Sequence, residues 1–427
     1  MEEEEPLTSL QWRNLLWALL AWASTICNMT LVVGTSAVVM LHVGGTAASV
    51  PLGCFFGGSS LVSWLVTPWL FDRWGRKMGF LVGVGFGLVA TALGAGGIAI
   101  GSPVLHSLSQ GVFGAYAGIG FFLRFAAVEV VPPHWAARAI TLVVSGGCLA
   151  AFVGPESAQA SRDWISDHLF MGIFIMTGIY SVLNGVFILL IQFPPPKEGT
   201  KDPAPSEGDV EGEEPPSENS DEVTVRSVIP TRAFLVPMST SLTAWIVMGM
   251  TMSMVRVIMQ AVGYSSRQSL LVIELHFLGM YGPGFFTGRL ITKYGPEAVS
   301  YASVVVFGVA ICFMWLAKSE EDGSIAIWIL GLMIVGVAWN CGFTGGTVWL
   351  TRLYAKTPHL RSGVQAANDA LMFGLAGGWI TASSYIVDAG GGWVASSQCC
   401  RTGDRNRPRS GLGMGLDHHA WQCKYRR

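Results

Sequence analysis

Four of the ionisable residues that stand inside long apolar stretches, where a charged side chain is costly, form a first group. They are Glu156, Arg256, Glu274 and His276. A charge within a lipid bilayer is strongly unfavourable unless it is paired or hydrated, so such residues mark functional sites by default. A carboxylate changes its proton affinity when a charged partner moves away, and a nearby histidine can relay that proton. These residue types therefore predict reversible proton binding, with a static packing pair as the alternative interpretation.

The spacing along the chain predicts that these side chains meet. Arg256 lies about seven residues before a turn at residues 263–264. Glu274 and His276 lie about ten and twelve residues after that turn. With a rise of about 1.5 Å per helical residue, the groups reach overlapping depths on adjacent antiparallel helices. We therefore expect an outer cluster that joins them to Glu156, with Arg256 free to pair with Glu274.

A second set of charges, together with one glycine, lies at the ends of apolar spans. It comprises Asp72, Arg73, Gly75, Arg76, Glu129, Arg138 and Asp369. Asp72 and Glu129 are acids at the ends of the second and fourth spans, and bases follow both of them. Two interpretations stay open. The set is either an inner, cytoplasmic gate that opens and closes, or a basic loop that only fixes topology.

The stretch at residues 72–77 has a partial repeat at residues 288–295. Aligned on Gly75 and Gly295, each copy carries a base and then an aromatic residue immediately before the glycine. Each copy also lies between two apolar spans. A basic loop alone is the default on the cytoplasmic side of a membrane, but its repetition predicts two related halves.

The composition indicates that these charges belong to a membrane protein. The chain is 51% hydrophobic and 13% charged, with a mean hydropathy of +0.48, whereas soluble domains are about 25% charged. Eleven apolar spans of a length that crosses a bilayer are readable. They cover about 14–41, 46–71, 78–100, 105–130, 138–158, 169–193, 233–262, 267–287, 298–317, 325–354 and 363–387. We predict an all-α polytopic membrane protein with two six-helix halves, of which eleven spans are readable.

The chain divides into five parts. They are an acidic cytoplasmic tail (1–13), an N-terminal six-helix half (14–193), an acidic cytoplasmic linker (194–232), a C-terminal half with five spans (233–387) and a polar, basic tail (388–427). The linker is rich in proline, serine and acids, so we expect it to be disordered. No apolar run follows Trp393. We interpret this as a truncated or mis-spliced product, with a genuine eleven-span form as the alternative.

The distribution of bases predicts the orientation. Ten Lys and Arg residues fall in the short loops on one side, against only Arg162, Arg267 and Lys318 on the other. Because cytoplasmic loops carry the excess of positive charge, we expect the N-terminus and the linker in the cytoplasm. We predict an integral, multi-pass membrane protein. The sequence does not identify which membrane it occupies.

Several of these features together resemble the major facilitator superfamily over nearly the whole chain. They are the two six-span halves, the linker and the D-R-x-G-R-K pattern of residues 72–77. Residues 110–111 and 154–155 match further elements of that family. Strings at residues 124–129, 274–288, 339–347 and 365–369 resemble a branch that includes bacterial riboflavin importers. Pro68 and Arg352 depart from the pattern, because relatives carry a glycine and an acid there.

The resemblance implies a transporter whose two halves rock around a central cavity. It places in that cavity Asn28, Phe121, Arg124, Gln260, Trp339 and Asn340. Trp339 would stack on a planar ring. Arg124 would either meet an anion or pair with Asp369 or Glu129. The resemblance also assigns the cytoplasmic latch to residues 72–76.

We therefore predict a secondary active transporter of a small organic solute, with proton coupling as an option and a flavin-like substrate as one guess. A drug or metabolite exporter is the alternative within this class. A non-transporting membrane protein, or an inactive truncated splice form, is the alternative outside it. The sequence carries no metal-ligand set, nucleophile triad or phosphate loop, so we expect neither an enzyme nor a cofactor. The expected partners are the lipid bilayer, a small-molecule substrate and protons, without nucleic acid, and we expect a monomer.

Overall fold

The structure, a computed structural model, describes residues 6–45, 50–193, 224–317, 324–355 and 357–390. Within these ranges the side chains of residues 253, 254, 256, 257, 260, 261, 266, 358 and 383–390 lie outside the description. The regular structure of the described ranges is helical throughout. Its α-helices are α1 (Ser9–His42), α2 (Val50–Leu65), α3 (Thr67–Ile100), α4 (Pro103–Gly120), α5 (Leu123–Ala126), α6 (Ala136–Ser145), α7 (Gly147–Ser161), α8 (Met171–Leu190), α9 (Val225–Val228), α10 (Arg232–Ala261), α11 (Ser266–Tyr281), α12 (Gly284–Tyr294), α13 (Pro296–Leu316), α14 (Ile325–Leu353) and α15 (Arg361–Gly390).

Nine segments of the described chain are helical, long and apolar enough to cross a membrane. They are Ser9–His42, Thr67–Ile100, Pro103–Val130, Pro133–Ser161, Met171–Leu190, Arg232–Met252, Arg267–Tyr294, Pro296–Leu316 and Ile325–Leu353. The shorter helix Val50–Leu65 is apolar as well. The protein is therefore an all-α polytopic membrane protein, as its composition and its apolar spans predict.

The first copy of the basic motif contains a sharp break, at Gly75, between two helical stretches. Helix α3 starts at Thr67 and continues to Ile100, with one non-helical residue, Gly75, at φ 76° and ψ 169°. Pro68 occupies the first turn of α3, where a missing N–H donor costs nothing. Glycine adopts positive φ without a steric penalty. The chain therefore reverses at Gly75, which brings the ring centres of Phe71 and Phe80 to 5.0 Å from each other, as a gap between two apolar spans requires.

Two of the spans are each built from two helices. Helices α6 and α7 meet at Gly146, and α11 and α12 meet at residues 282–283. The proline of the second break removes a donor and clashes with the preceding turn, which ends α11. A Cβ atom at Gly147, the first residue of α7, would collide with the ring of Tyr281 on α11. The two broken spans therefore pack in close contact.

The structure contains two sets of spans that pack against each other within one compact unit. We call residues 6–193 the N-terminal segment and residues 224–384 the C-terminal segment. Helix α2 of the first lies along α15 of the second, where Oγ of Ser60 donates a hydrogen bond to the carbonyl of Ala370 at 2.8 Å. Helices α6 and α7 contact α12 and α11. The site described next lies where these two segments meet.

Candidate functional site

Arg76 of the basic motif forms a charged network at one end of the helix bundle, which we call the motif end. Its Nε and Nη2 atoms donate to Oε1 of Glu129 at 3.0 and 2.7 Å. The same oxygen accepts from Nη1 of Arg361 at 3.2 Å, and Arg76 also donates to Oε1 of Gln365 at 3.2 Å. The Arg76 and Glu129 side chains are only 9% and 13% exposed. Because Arg361 and Gln365 belong to α15, this network joins the two segments.

The network continues to Tyr354, which follows α14. Its hydroxyl accepts a hydrogen bond from Nε2 of Gln365 at 2.8 Å. Burial raises the pKa of Tyr354 to about 12, and the hydrogen bond from Gln365 opposes this effect. The phenol therefore stays neutral at physiological pH and serves as a fixed polar anchor of α15.

Asp72 makes a second link at the motif end, to the first turn of α15. Its Oδ1 accepts a hydrogen bond from Oγ of Ser362 at 2.6 Å, and a negative charge is favoured near a helix N-terminus. Arg73 is exposed beside it. Arg138 lies on α6, with its guanidinium 5.0 Å from the ring centre of Trp135. The gating role of these residues stays a prediction.

A deeper ion pair is completely buried between the two segments. Arg124 of α5 donates from Nη1 to Oδ2 of Asp369 at 3.1 Å, and from Nη2 to Oδ1 at 2.5 Å. Both side chains are 0% exposed. Arg124 also donates to the carbonyl of Phe121 at 2.6 Å and to Oγ1 of Thr347 at 3.2 Å. Of the partners that the sequence left open for Arg124, the structure selects Asp369, in the bidentate geometry that a buried charge needs.

Eight aromatic side chains above this ion pair form what we call the central aromatic cluster. It consists of Trp22, Phe56, Phe121, Trp245, Tyr281, Trp339, Phe343 and Phe373. Phe121 and Phe373 stack across the two segments with ring centres 4.9 Å apart. Trp339 and Phe343 stack at 4.7 Å, and Trp245 meets Trp339 edge to face at 5.5 Å. These buried rings pack where the two segments meet.

The cluster and the ion pair are in direct contact. The guanidinium carbon of Arg124 lies 4.8 Å from the centre of the Phe343 ring and 4.2 Å from that of Phe125. Phe121 belongs to the cluster and also accepts a hydrogen bond from Arg124 through its carbonyl. A movement that separates Arg124 from Asp369 must therefore also disturb the aromatic packing.

The residues predicted to line a cavity have different surroundings. Phe121 and Trp339 belong to the central aromatic cluster. Asn28 donates to Oγ of Ser181 at 3.0 Å, inside the N-terminal segment. Asn340 donates to a carbonyl of α11 at 2.7 Å and accepts from a threonine of α12 at 2.7 Å, so both ends of its amide hold the broken span. The side chain of Gln260 lies outside the described residues.

The sequence did not single out six members of the cluster. They are Trp22, Phe56, Trp245, Tyr281, Phe343 and Phe373. Aromatic residues are frequent in all the spans, so their types alone do not separate lipid-facing rings from buried ones. The sequence held one further signal. A glycine leaves room for a large ring to pack against the helix backbone, so glycines on a facing helix indicate where a buried ring lies.

The opposite end of the bundle, which we call the far end, shows part of the expected outer cluster. Oε1 of Glu156 accepts from Nη1 of Arg267 at 2.8 Å, which joins the two segments again. Glu274 is 5% exposed, and its electrostatic neighbours are Glu156 and Arg267. The side chain of Arg256 lies outside the described residues. Arg267, which the sequence placed only in a loop, is thus a member of this cluster.

His276 has a different environment from Glu274. It is fully buried, and its Nδ1 lies 2.7 Å from the carbonyl oxygen of Leu332. That contact ties α11 to α14 inside the C-terminal segment. The geometry of His276 therefore fits an anchor between two helices.

Apolar helices that span a bilayer and enclose charged pairs are characteristic of polytopic membrane proteins. The family model of the Major Facilitator Superfamily matches residues 17–381, and the chain belongs to this family. The resemblance carried by the sequence motifs is thereby confirmed. The protein is a membrane transporter and not an enzyme.

Two relatives that match more than four fifths of the chain are named as transporters. The riboflavin transporter RfnT of Brucella anthropi is 27% identical over 369 residues, which cover 85% of this chain and 86% of that protein. The uncharacterized MFS-type transporter YddS of Bacillus subtilis is 27% identical over 368 residues, covering 82% and 80%.

Solved structures show the same fold. The E. coli fucose:proton symporter FucP superposes with a TM-score of 0.62 at 11% identity, over 88% of this chain and 92% of that chain. The human organic anion transporter MFSD10 gives a TM-score of 0.64 at 15% identity, over 93% and 96%. At these identities the likeness concerns the fold alone.

Proposed function

We propose that this protein is a secondary active transporter that moves a small organic solute by alternating access between the N-terminal and C-terminal segments. The observation that carries the proposal is the Arg124–Asp369 pair. It is fully buried, it joins the two segments, and it touches the central aromatic cluster. A buried pair is a weak source of stability but is strongly unfavourable to break on one side only. Such a pair suits a protein that changes between two packed states.

Contacts between the segments occur at three depths. Arg361–Glu129 and Ser362–Asp72 lie at the motif end, Arg124–Asp369 lies in the interior, and Glu156–Arg267 lies at the far end. Alternating access requires the contacts of one end to open while those of the other end hold. We assign the motif end to the cytoplasmic gate and the far end to the outer gate, with the N-terminus and the linker in the cytoplasm.

The coupling ion in this proposal is the proton. When the segments separate, Asp369 loses its guanidinium partner and needs another cation or water. Glu274 is a second buried carboxylate, beside the inter-segment pair Glu156–Arg267. A carboxylate whose partner leaves during a conformational change binds protons differently in the two states, and this difference can drive uphill transport.

The proposed solute is a flavin-like aromatic compound. Its support is twofold, from the similarity to a riboflavin transporter and from the aromatic side chains that meet between the segments. Aromatic rings bind planar ligands by offset stacking. Riboflavin is therefore the first substrate to test.

The proposal is tested with the full chain in proteoliposomes, by uptake of radiolabelled riboflavin with and without an imposed proton gradient. We expect uptake that the gradient accelerates, and a loss of at least about tenfold in Asp369→Asn, because Arg124 is left buried without its partner. The matched control is Glu297→Gln, which removes an exposed pair with Arg352 inside one segment and should retain uptake. Equal rates in both variants, or the absence of any uptake, would overturn the proposal.

A further inference from the structure

Four hydrogen-bond donors of the central aromatic cluster are buried and have no hydrogen-bond partner among the described residues. They are the indole N–H groups of Trp22, Trp245 and Trp339 and the hydroxyl of Tyr281. Their residues are at most 2% exposed. Buried Trp and Tyr normally place their polar atom against an acceptor. The cluster brings four such donors together, whereas Trp135 and Tyr264 carry one each elsewhere in the described chain.

These donors belong to rings that contact one another or share a neighbour. Trp339 meets Trp245 at 5.5 Å and Tyr281 at 5.5 Å between ring centres. Trp22 and Trp245 both meet Phe121, at 5.6 and 5.7 Å. An unpaired buried donor costs free energy, and four such costs add up in this cluster. Asn340, which follows Trp339 in the chain, has both ends of its amide paired.

We propose that the central aromatic cluster binds a planar, uncharged heteroaromatic solute whose edge carries several hydrogen-bond acceptors, which Trp22, Trp245, Tyr281 and Trp339 recognise. This inference rests on the proposed transport function and names the chemistry of its substrate. Because an indole N–H can donate but never accept, at least three of the four groups select acceptor atoms. A solute whose edge presents only donors would leave them unpaired.

The surroundings specify the shape and the charge of the solute. Phe121 stacks on Phe373 and Trp339 stacks on Phe343, with ring centres 4.9 and 4.7 Å apart. A flat solute ring can take the place of one ring in such a stack. Arg124, the charged side chain that contacts Phe343, is already neutralised by Asp369. A net charge on the solute would be desolvated without a partner of its own.

The test measures binding to the purified full chain in detergent with two planar probes. Riboflavin carries carbonyl and ring-nitrogen acceptors along one edge of its ring system, whereas proflavine is a planar cation whose edge carries amino donors. We expect riboflavin to bind at least about tenfold more tightly, because only its edge pairs with the four donors. Equal affinity for the two probes, tighter binding of proflavine, or no binding of either one would overturn the inference.

Two substitutions that remove a donor and keep a ring test the assigned residues. Tyr281→Phe deletes only the hydroxyl, and Trp245→Phe deletes one indole N–H; each should weaken riboflavin binding about three- to tenfold and leave proflavine binding unchanged. The matched controls are Tyr180→Phe, whose hydroxyl already donates to Ser157 at 3.1 Å, and Trp17→Phe, whose ring stacks on Phe187 outside the cluster. Both controls should bind riboflavin like the natural protein.

The outcomes separate this inference from the transport proposal. If the donor variants bind riboflavin as tightly as the controls do, the donors do not recognise the solute, and the inference fails even though uptake continues. If uptake is absent with every solute while binding follows the donor pattern, the transport proposal fails and the site remains. A thermal melt of Tyr281→Phe that matches the natural protein shows that its weaker binding reflects the lost donor and not misfolding.

Discussion

Removing either partner of the buried Arg124–Asp369 pair should destabilise the protein strongly, and removing both should cost less than the two single losses together. Asp369→Asn keeps the size and polarity of the side chain but leaves the guanidinium of Arg124 buried without a counter-charge. Because both side chains are 0% exposed, solvent cannot compensate, and we expect a loss of about 3–5 kcal/mol in the free energy of unfolding. Arg124→Gln should cost a similar amount, since it strands the carboxylate of Asp369.

The double variant Arg124→Gln/Asp369→Asn contains no unpaired buried charge. Its loss should therefore be smaller than the sum of the two single losses, with a coupling of at least about 2 kcal/mol. The assay is equilibrium unfolding of the purified protein in mixed micelles, followed by far-UV circular dichroism, for the four members of the double-mutant cycle.

The same cycle on Arg352 and Glu297 provides the control. This pair joins α14 to α13 with a nitrogen–oxygen distance of 2.9 Å, but its side chains are 57% and 41% exposed. We expect a coupling of about 0–1 kcal/mol for it. Additive losses for Arg124 and Asp369, or a coupling no larger than that of the exposed pair, would refute the reasoning.

Three further predictions concern the helix contacts and the motif end. Gly147→Ala should lower the free energy of unfolding by about 1–3 kcal/mol in the same assay, because the new Cβ collides with the Tyr281 ring. Its control is Gly85→Ala, which should cost less than about 0.5 kcal/mol because no atom lies within 4 Å of the added Cβ. Gly75→Ala should cost about 1–2 kcal/mol because φ is 76° there. Asp72→Asn should preserve the amount of protein in the membrane, measured by immunoblot, while it slows riboflavin uptake at least about threefold, because its link to Ser362 weakens.

Each of these expectations has a result that contradicts it. Equal stability of Gly147→Ala and Gly85→Ala would show that the two broken spans, α6–α7 and α11–α12, do not pack as described. A Gly75→Ala protein as stable as the natural one would mean that the break in α3 is not a fixed feature. Normal uptake by Asp72→Asn would show that the contact of Asp72 with α15 has no role in gating.

The sequence predicts much of the fold because bilayer physics leaves few alternatives. A long apolar run must become a helix, since an exposed backbone has no partners in lipid. The breaks inside helices are harder to predict. Residues 72–77 read as a gap between two apolar spans because of their charges, and Gly75 does break the helix there, but the residues on both sides of it stay helical.

The site was predictable where a charge needs a partner and less so where packing decides. The sequence left three possible partners for Arg124. Only the packed helices show that both carboxylate oxygens of Asp369 bind its guanidinium. Arg267 escaped attention because it precedes the apolar part of α11, although its long side chain reaches Glu156. Trp245 and Phe373 resemble any other aromatic residue of a span until their neighbours are known.

The central claim, alternating access, is tested most directly by fixing the motif end in its observed arrangement. Asp72 and Ser362 are in hydrogen-bond contact across the two segments, so the double variant Asp72→Cys/Ser362→Cys places two thiols at the interface. Riboflavin uptake in proteoliposomes is measured after oxidation and again after reduction. Each of the two single substitutions to cysteine serves as a control. The account predicts that uptake stops when the disulfide forms and returns when it is reduced, in the double variant alone. Undiminished uptake by fully cross-linked protein would contradict it.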